Sequence, residues 1–155
     1  MNNEISKIIT IGQKTIEIRR AFLSEVIQLR HDILIVGTDR TSPEFDGDNN
    51  ASTRHFGAFF DKINICCLSW MRSELDGAPA WQLRGMATHP EVRGTGVGRA
   101  LLFYSEESIT AESGISTYWC NARTTAAVFY QKQGWSIISD EFHIPGVGPH
   151  FKMKK

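Results

Sequence analysis

The chain has 155 residues, 41% apolar and 22% charged, and its 17 basic and 17 acidic side chains cancel. This is the size and apolar content of one globular domain, expected over residues 1–155, and it excludes a disordered chain. No basic run exists beyond Lys152, Lys154 and Lys155, which argues against a nucleic-acid partner, and no stretch approaches the roughly twenty apolar residues of a membrane span. Cys66, Cys67 and Cys120 are odd in number and form no Cys-x-x-Cys spacing, so buried inert thiols are expected, with neither disulfide nor metal. Residues 1–14 lack the pattern of a leader segment, and a soluble cytoplasmic protein is the expectation.

In chain order, residues 15–19 alternate as a strand. Residues 24–35 carry Val26, Ile27, Leu29, Ile33 and Leu34 at helical spacing, with Ser24 as a candidate cap. Residues 38–53 are polar and turn-rich and read as a loop of the length that often shapes a site. Its Asp46, Asp48 and Asn50 do not match a calcium loop. Residues 55–60 and 63–70 are β-rich runs joined by a tight Asp61-Lys62 turn, and residues 76–79 form the next turn. A strand over 81–88 ends at His89-Pro90. Residues 97–112 form a helix closed by Gly114, 115–120 a strand, 124–133 a helix, and 135–138 and 150–153 two short strands. The expected fold is mixed α/β with early hairpins, late crossovers and six to seven strands.

The informative piece is the strand-turn-helix over residues 81–102. Gly94, Gly96 and Gly98 alternate where a helix begins, so backbone N–H groups can converge on an anion at the positive end of the helix dipole. Arg93 and Arg99 flank the turn with positive charge. A dinucleotide fingerprint would need glycine where Arg99 stands, and the Gly-Lys-Ser/Thr of a P-loop is absent. A glycine-rich turn without a ligand is the plain alternative.

The run Arg93-Gly94-Thr95-Gly96-Val97-Gly98-Arg99 resembles the acetyl-CoA motif of the GNAT superfamily of N-acetyltransferases, Arg/Gln-x-x-Gly-x-Gly/Ala. A second block, Asn121-Ala122-Arg123 through Ala126, Phe129-Tyr130, Lys132 and Gly134-Trp135, is similar to that family's Asn-x-x-Ala…Tyr-x-Lys-x-Gly-Phe segment. The resemblance implies a GNAT-like, mostly antiparallel sheet with helices on both faces, splayed at its central strands. It implies acetyl-CoA as cosubstrate and no metal. Arg93, Gly94, Thr95, Gly96, Val97, Gly98 and Arg99 would hold the pyrophosphate, and Met86, Ala87 and Thr88 the pantetheine arm. A backbone N–H there could steady an oxyanion, a contact typically worth about 10²–10³ in rate. Asn121 would bind pantetheine or cap the next helix. Tyr130 would protonate the leaving thiolate or serve only as a core aromatic.

The acceptor side has no readable code. General-base candidates are His31, His55, His89, His150, Glu44 and Glu91; Arg30 and Arg84 could bind an acidic acceptor or be salt-bridged, and His150 could reach the acceptor. The acidic loop (Glu44, Asp46, Asp48) suits a cationic amine or is simply solvated. Trp70, Trp81, Trp119 and Trp135 read as packing. The expected activity is direct acetyl transfer to a small-molecule primary amine. A protein or peptide acceptor and a non-catalytic acyl-CoA-binding module are the alternatives, and a homodimer suits so small a domain.

Overall fold

Tight turns with left-handed residues set the antiparallel half of the sheet. In the computed structural model, which describes residues 6–155, Gly12 stands at φ +61° between β1 (Lys7–Ile11) and β2 (Lys14–Ala21). Asp61 and Lys62 (+48° and +66°) join β3 (Arg54–Phe60) to β4 (Ile63–Leu75), and Asp76 and Gly77 (+52° and +77°) join β4 to β5 (Ala78–Thr88). Left-handed conformation at both central positions gives the hairpin turn whose twist matches that of the strands. β1 to β5 pair successively and antiparallel. The reading of residues 1–14 falls partly outside the described residues.

Between β2 and β3 lie α1 (Leu23–Arg30), a π-helical turn (His31–Ile35) and the loop. After β5, α2 (Val97–Ser113) carries the chain to β6 (Tyr118–Arg123), which is parallel to β5, as a helical crossover allows. Then come α3 (Ala127–Lys132), β7 (Ser136–Ile137), β8 (Phe142–Ile144) and β9 (Gly148–Lys154). β9 pairs with β6 on one edge and with β7 and β8 on the other, completing a nine-stranded sheet among the described residues. No helix of these residues is long and apolar enough to cross a membrane.

The class agrees with the sequence reading; the strand count and some boundaries do not. β1 and β8 are additional. Ser24 does not cap α1: the cap position is Phe22, whose N–H donates to Glu25 Oε1 at 2.9 Å. β6 runs over 118–123, not 115–120. Residues 115–117 remain in the turn, where the Ile115 N–H donates to Ser113 Oγ, and β6 is extended by pairing Asn121, Ala122 and Arg123 with Lys152, Phe151 and His150.

Strand alternation divides the core. Cys66, Leu68 and Trp70 of β4 point into the large cluster beneath α2 and α3, whereas Cys67 packs with Val26, Leu29 and Ala87 beneath α1. Trp70, Trp81 and Trp135 are buried there, as expected. Burial pushes Cys66 up to about 11 and Cys120 and Cys67 up to about 12, so all three remain thiols at neutral pH.

Candidate functional site

β5 and β6 pair only at Trp81–Tyr118 and Gln82–Trp119. Beyond these pairs the strands diverge, and residues 83–88 of β5 have no strand partner on that edge among the described residues. A bulge sharpens the divergence. Cys67 and Ser69 of β4 lie opposite Ala87 and Arg84, so β5 carries one extra residue there. Gly85 stands in this bulge at φ +65°, and a Cβ on it would lie 2.7 Å from Arg30 Nε. The bulge leaves Arg84 on the α1 face and turns Met86 toward the large core. The resulting cleft, of about 180 Å³, is lined from both strands, from Tyr130, and from the β8–β9 hairpin through Ile144, Val147 and His150.

The glycine turn sits at the far end of β5. Thr95 Oγ1 donates to the Val92 carbonyl at 2.6 Å and pins the turn. Gly94 and Gly96 have φ of +75° and +90°, and Cβ atoms on either would meet nothing within 4 Å. The demand for glycine is therefore conformational, and the space above the turn is open. Gly96 caps α2 with no side-chain bond, so the first N–H groups of the helix have no capping side chain. Gly98 differs: its Cβ would lie in ordinary contact with Met86 Cε, at 3.4 Å, and with the Phe129 ring. Val97 is buried and anchors the helix; Arg93 and Arg99 are exposed, with the Arg99 guanidinium over the Phe103 ring.

Met86, Ala87 and Thr88 lie on the diverging part of β5. Ala87 faces α1, and the Thr88 hydroxyl contacts Cys66 Sγ at 3.3 Å. Tyr130 lines the cleft and also packs on Phe129 and Trp135; its hydroxyl donates to Met86 Sδ at 3.6 Å. Burial pushes its phenol well above the ordinary 10. Asn121 also lines the cleft. It lies within β6 opposite Lys152, so it is neither the end of a strand nor a helix cap.

Arg30 is placed elsewhere than an acceptor would require. Its guanidinium is fully buried, with Nη1 2.7 Å from Asp48 Oδ2 and 3.0 Å from the Pro43 carbonyl, and Nη2 3.0 Å from Ser69 Oγ. His55 closes the ring, with Nδ1 2.6 Å from Ser69 Oγ and Nε2 3.0 Å from the Asp48 carbonyl. Ser69 accepts from Arg30 and donates to Nδ1, which assigns His55 as a neutral imidazole with its proton on Nε2. Burial likewise pushes it below 6.5. This ring fastens the 38–53 loop to α1, β3 and β4, and it occupies Asp48, read as part of an amine-attracting loop, and His55, read as a candidate general base. His89 accepts from the Glu91 N–H and belongs to its turn.

Arg84 and His150 do line the cleft. Phe45 lies between the guanidinium groups of Arg30 and Arg84, at 4.3 and 4.7 Å. His150 Nδ1 lies 2.7 Å from the Gly148 carbonyl, which accepts its proton and leaves the Nε2 lone pair available. Burial, and then the nearby positive charges, push His150 below 6.5. Sequence reasoning missed Arg40, Phe45 and Arg123 of the cleft wall. Arg123 was legible as a member of the Asn121 block, with no role assigned to its side chain.

A family model described as an acetyltransferase (GNAT) domain matches residues 52–137. The chain belongs to the GNAT acetyltransferase family. This GNAT chain is 32% identical over 143 residues to a Bacillus subtilis protein, the uncharacterized N-acetyltransferase YitI, covering 90% of this chain and 95% of that one. Escherichia coli ElaA superposes with a TM-score of 0.74 at 18% identity, covering 97% of this chain and 99% of ElaA. Arabidopsis thaliana Naa50, solved in complex with the bisubstrate analogue CoA-Ac-MVNAL, superposes with 0.67 at 17% identity, covering 90% and 97%. Both structural likenesses concern the fold.

Proposed function

We propose that this GNAT acetyltransferase moves the acetyl group of acetyl-CoA to a primary amine of a small molecule, by direct attack with both substrates bound. The observation that carries the reading is the diverging β5–β6 cleft, with the open Gly94–Gly96 turn at the end of β5 and the Tyr130 hydroxyl on its wall. Arg93 to Arg99 would hold the pyrophosphate, the unpaired edge at Met86, Ala87 and Thr88 the pantetheine arm, and Asn121 would reach it from β6. The modest cleft volume, with the β8–β9 hairpin on its wall, favours a small acceptor over a peptide.

The amine nitrogen bonds to the acetyl carbon, the carbon–sulfur bond breaks, and the Tyr130 proton passes to sulfur. The proton lost by nitrogen goes to His150 Nε2 or to water, and one from solvent restores the phenol. A strongly raised phenol is normally a weak acid. Burial raises the Tyr130 phenol and the neighbouring Cys66 and Cys120 thiols alike, and the same loss of hydration would make a thiolate released beside them a stronger base.

The test pairs an acetyl-CoA thermal shift with thiol release across a panel of amines, polyamines, amino acids and peptides. Tyr130→Phe should bind acetyl-CoA normally and lose about 10²–10⁴ in kcat. Unchanged turnover removes Tyr130 from the chemistry; absence of acetyl-CoA binding removes the whole reading.

A further inference from the structure

The acceptor face of the cleft carries an unbalanced charge. Arg84 of β5, Arg123 at the end of β6 and Arg40 of the loop after α1 all line it, together with His150, and no aspartate or glutamate does. None of the three arginines forms an ion pair among the described residues. Among the described residues, Arg84 donates to the Asp46 carbonyl, at 3.4 Å, and to Met71 Sδ; Arg123 Nη2 donates to the Leu34 carbonyl at 2.7 Å; and the Arg40 side chain has no hydrogen-bond partner. The nearby carboxylates stand outside the cleft lining. Asp48 is taken up by Arg30, Asp46 is exposed, and the Asp39 side chain lies against Gly146 on the β8–β9 turn.

Cationic groups gathered around one half-buried cleft repel one another, and water is partly excluded from it. Burial and then the charge of Arg40 depress Arg123; burial depresses Arg84, opposed by the Asp48 and Asp46 carboxylates and reinforced by the Arg30 and Arg40 charges. Such a cluster is stable in a folded chain, but it favours a ligand that returns negative charge. A planar guanidinium fork matches a carboxylate in two hydrogen bonds. The phosphates of coenzyme A do not answer this demand in the proposed reading, because none of residues 93–99 borders the arginine-lined part of the cleft.

We infer that the acceptor is an amine bearing a carboxylate, of the amino-acid class, held by Arg40, Arg84 and Arg123 with its amino group toward Tyr130 and His150. This rests on the acetyltransferase reading above and names its substrate class.

The test compares L-glutamate and L-phenylalanine with L-glutamine amide, L-phenylalanine amide and spermidine in the thiol-release assay. The acids should exceed their amides by about tenfold or more in kcat/KM. Arg40→Met and Arg84→Gln should each reduce that acid-to-amide ratio about 10–100-fold while leaving the KM for acetyl-CoA in place, as loss of a charge-assisted bond predicts. The Arg40 side chain is exposed and has no hydrogen-bond or ion-pair partner among the described residues, so its variant should fold. In parallel, calorimetry measures N-acetyl-L-glutamate binding to the protein saturated with coenzyme A. Amides or spermidine turned over as well as the acids, or both variants weakening acetyl-CoA instead, would overturn the inference. Arginine-dependent binding of N-acetyl-L-glutamate with no turnover of any amine would uphold the carboxylate site and overturn the transferase reading. Neither binding nor turnover would overturn both.

Discussion

Asp48→Asn provides the sharpest test of how the acceptor wall is built. The Arg30 and Asp48 side chains are only 1% and 2% exposed, and their closest atoms are 2.7 Å apart. The substitution keeps the shape and removes one charge, leaving a buried guanidinium with only the Pro43 carbonyl and Ser69 Oγ as firm partners. It also weakens the bond from the Phe45 N–H to Asp48 Oδ2, now 2.7 Å. Breaking a buried pair by removing one partner costs about 3–5 kcal/mol, and the two surviving bonds put the expectation near ~3 kcal/mol. At about 2–4 °C per kcal/mol for a chain of this size, Tm should fall by roughly 6–12 °C. A domain stable by about 5–15 kcal/mol still folds. Urea denaturation of the wild type, Asp48→Asn, Arg30→Met and the double variant closes a cycle. The double variant should cost less than the sum of the singles by at least ~2 kcal/mol, since removing both charges removes the unpaired one. Because Phe45 packs on both Arg30 and Arg84, Asp48→Asn should also raise the acceptor KM more than that for acetyl-CoA. Additivity within ~0.5 kcal/mol, or a single-variant cost below ~1 kcal/mol, would refute the reasoning.

Gly96→Ala should lower stability by about 1–2 kcal/mol, because φ +90° is strained for any residue with a Cβ, and should weaken acetyl-CoA binding at least about tenfold as the turn relaxes. Calorimetry showing wild-type acetyl-CoA affinity would contradict the phosphate role of the turn. His55 and His150 are both depressed below 6.5 by burial, so below that pH the unfolded chain takes up protons that the folded chain refuses. Their stabilisation is present above about pH 6.5 and is lost as pH falls through the folded values. Urea midpoints measured from pH 7.5 to 5 should therefore decline, with a shallower decline in His150→Gln; a wild-type midpoint that does not change with pH would count against neutral buried imidazoles. If His150 accepts the amine proton, the acidic limb of kcat/KM for the acceptor should weaken in the same variant.

The candidate site was legible in the sequence where its signals are local. The alternating glycines, the flanking arginines and the Asn121…Tyr130 block each express a conformation or an ordered spacing within a few residues. Asp61-Lys62 and Asp76-Gly77 similarly announced their hairpins. Errors arose where distant pairing decides. β6 extends to Arg123 because β9 meets it, and a β-branched run at Ile115–Thr117 cannot report that partner. Arg30 read as an acceptor ligand or as a salt-bridged arginine, and only the structure shows Asp48, 18 residues away, as its partner.

The sequence by itself therefore determined the mixed α/β class, the hairpins, the glycine turn at the start of α2 and the family block that carries Tyr130, all properties carried by backbone preference, side-chain period or short motif. Only the tertiary structure decided which charges are free. The Arg30–Ser69–His55–Asp48 ring draws one arginine and one aspartate into the interior, while Arg40, Arg84 and Arg123 are left facing a cleft without a carboxylate. The physical reason is that a charge's role depends on its nearest partner and its water, and both are fixed by packing between segments far apart in the chain.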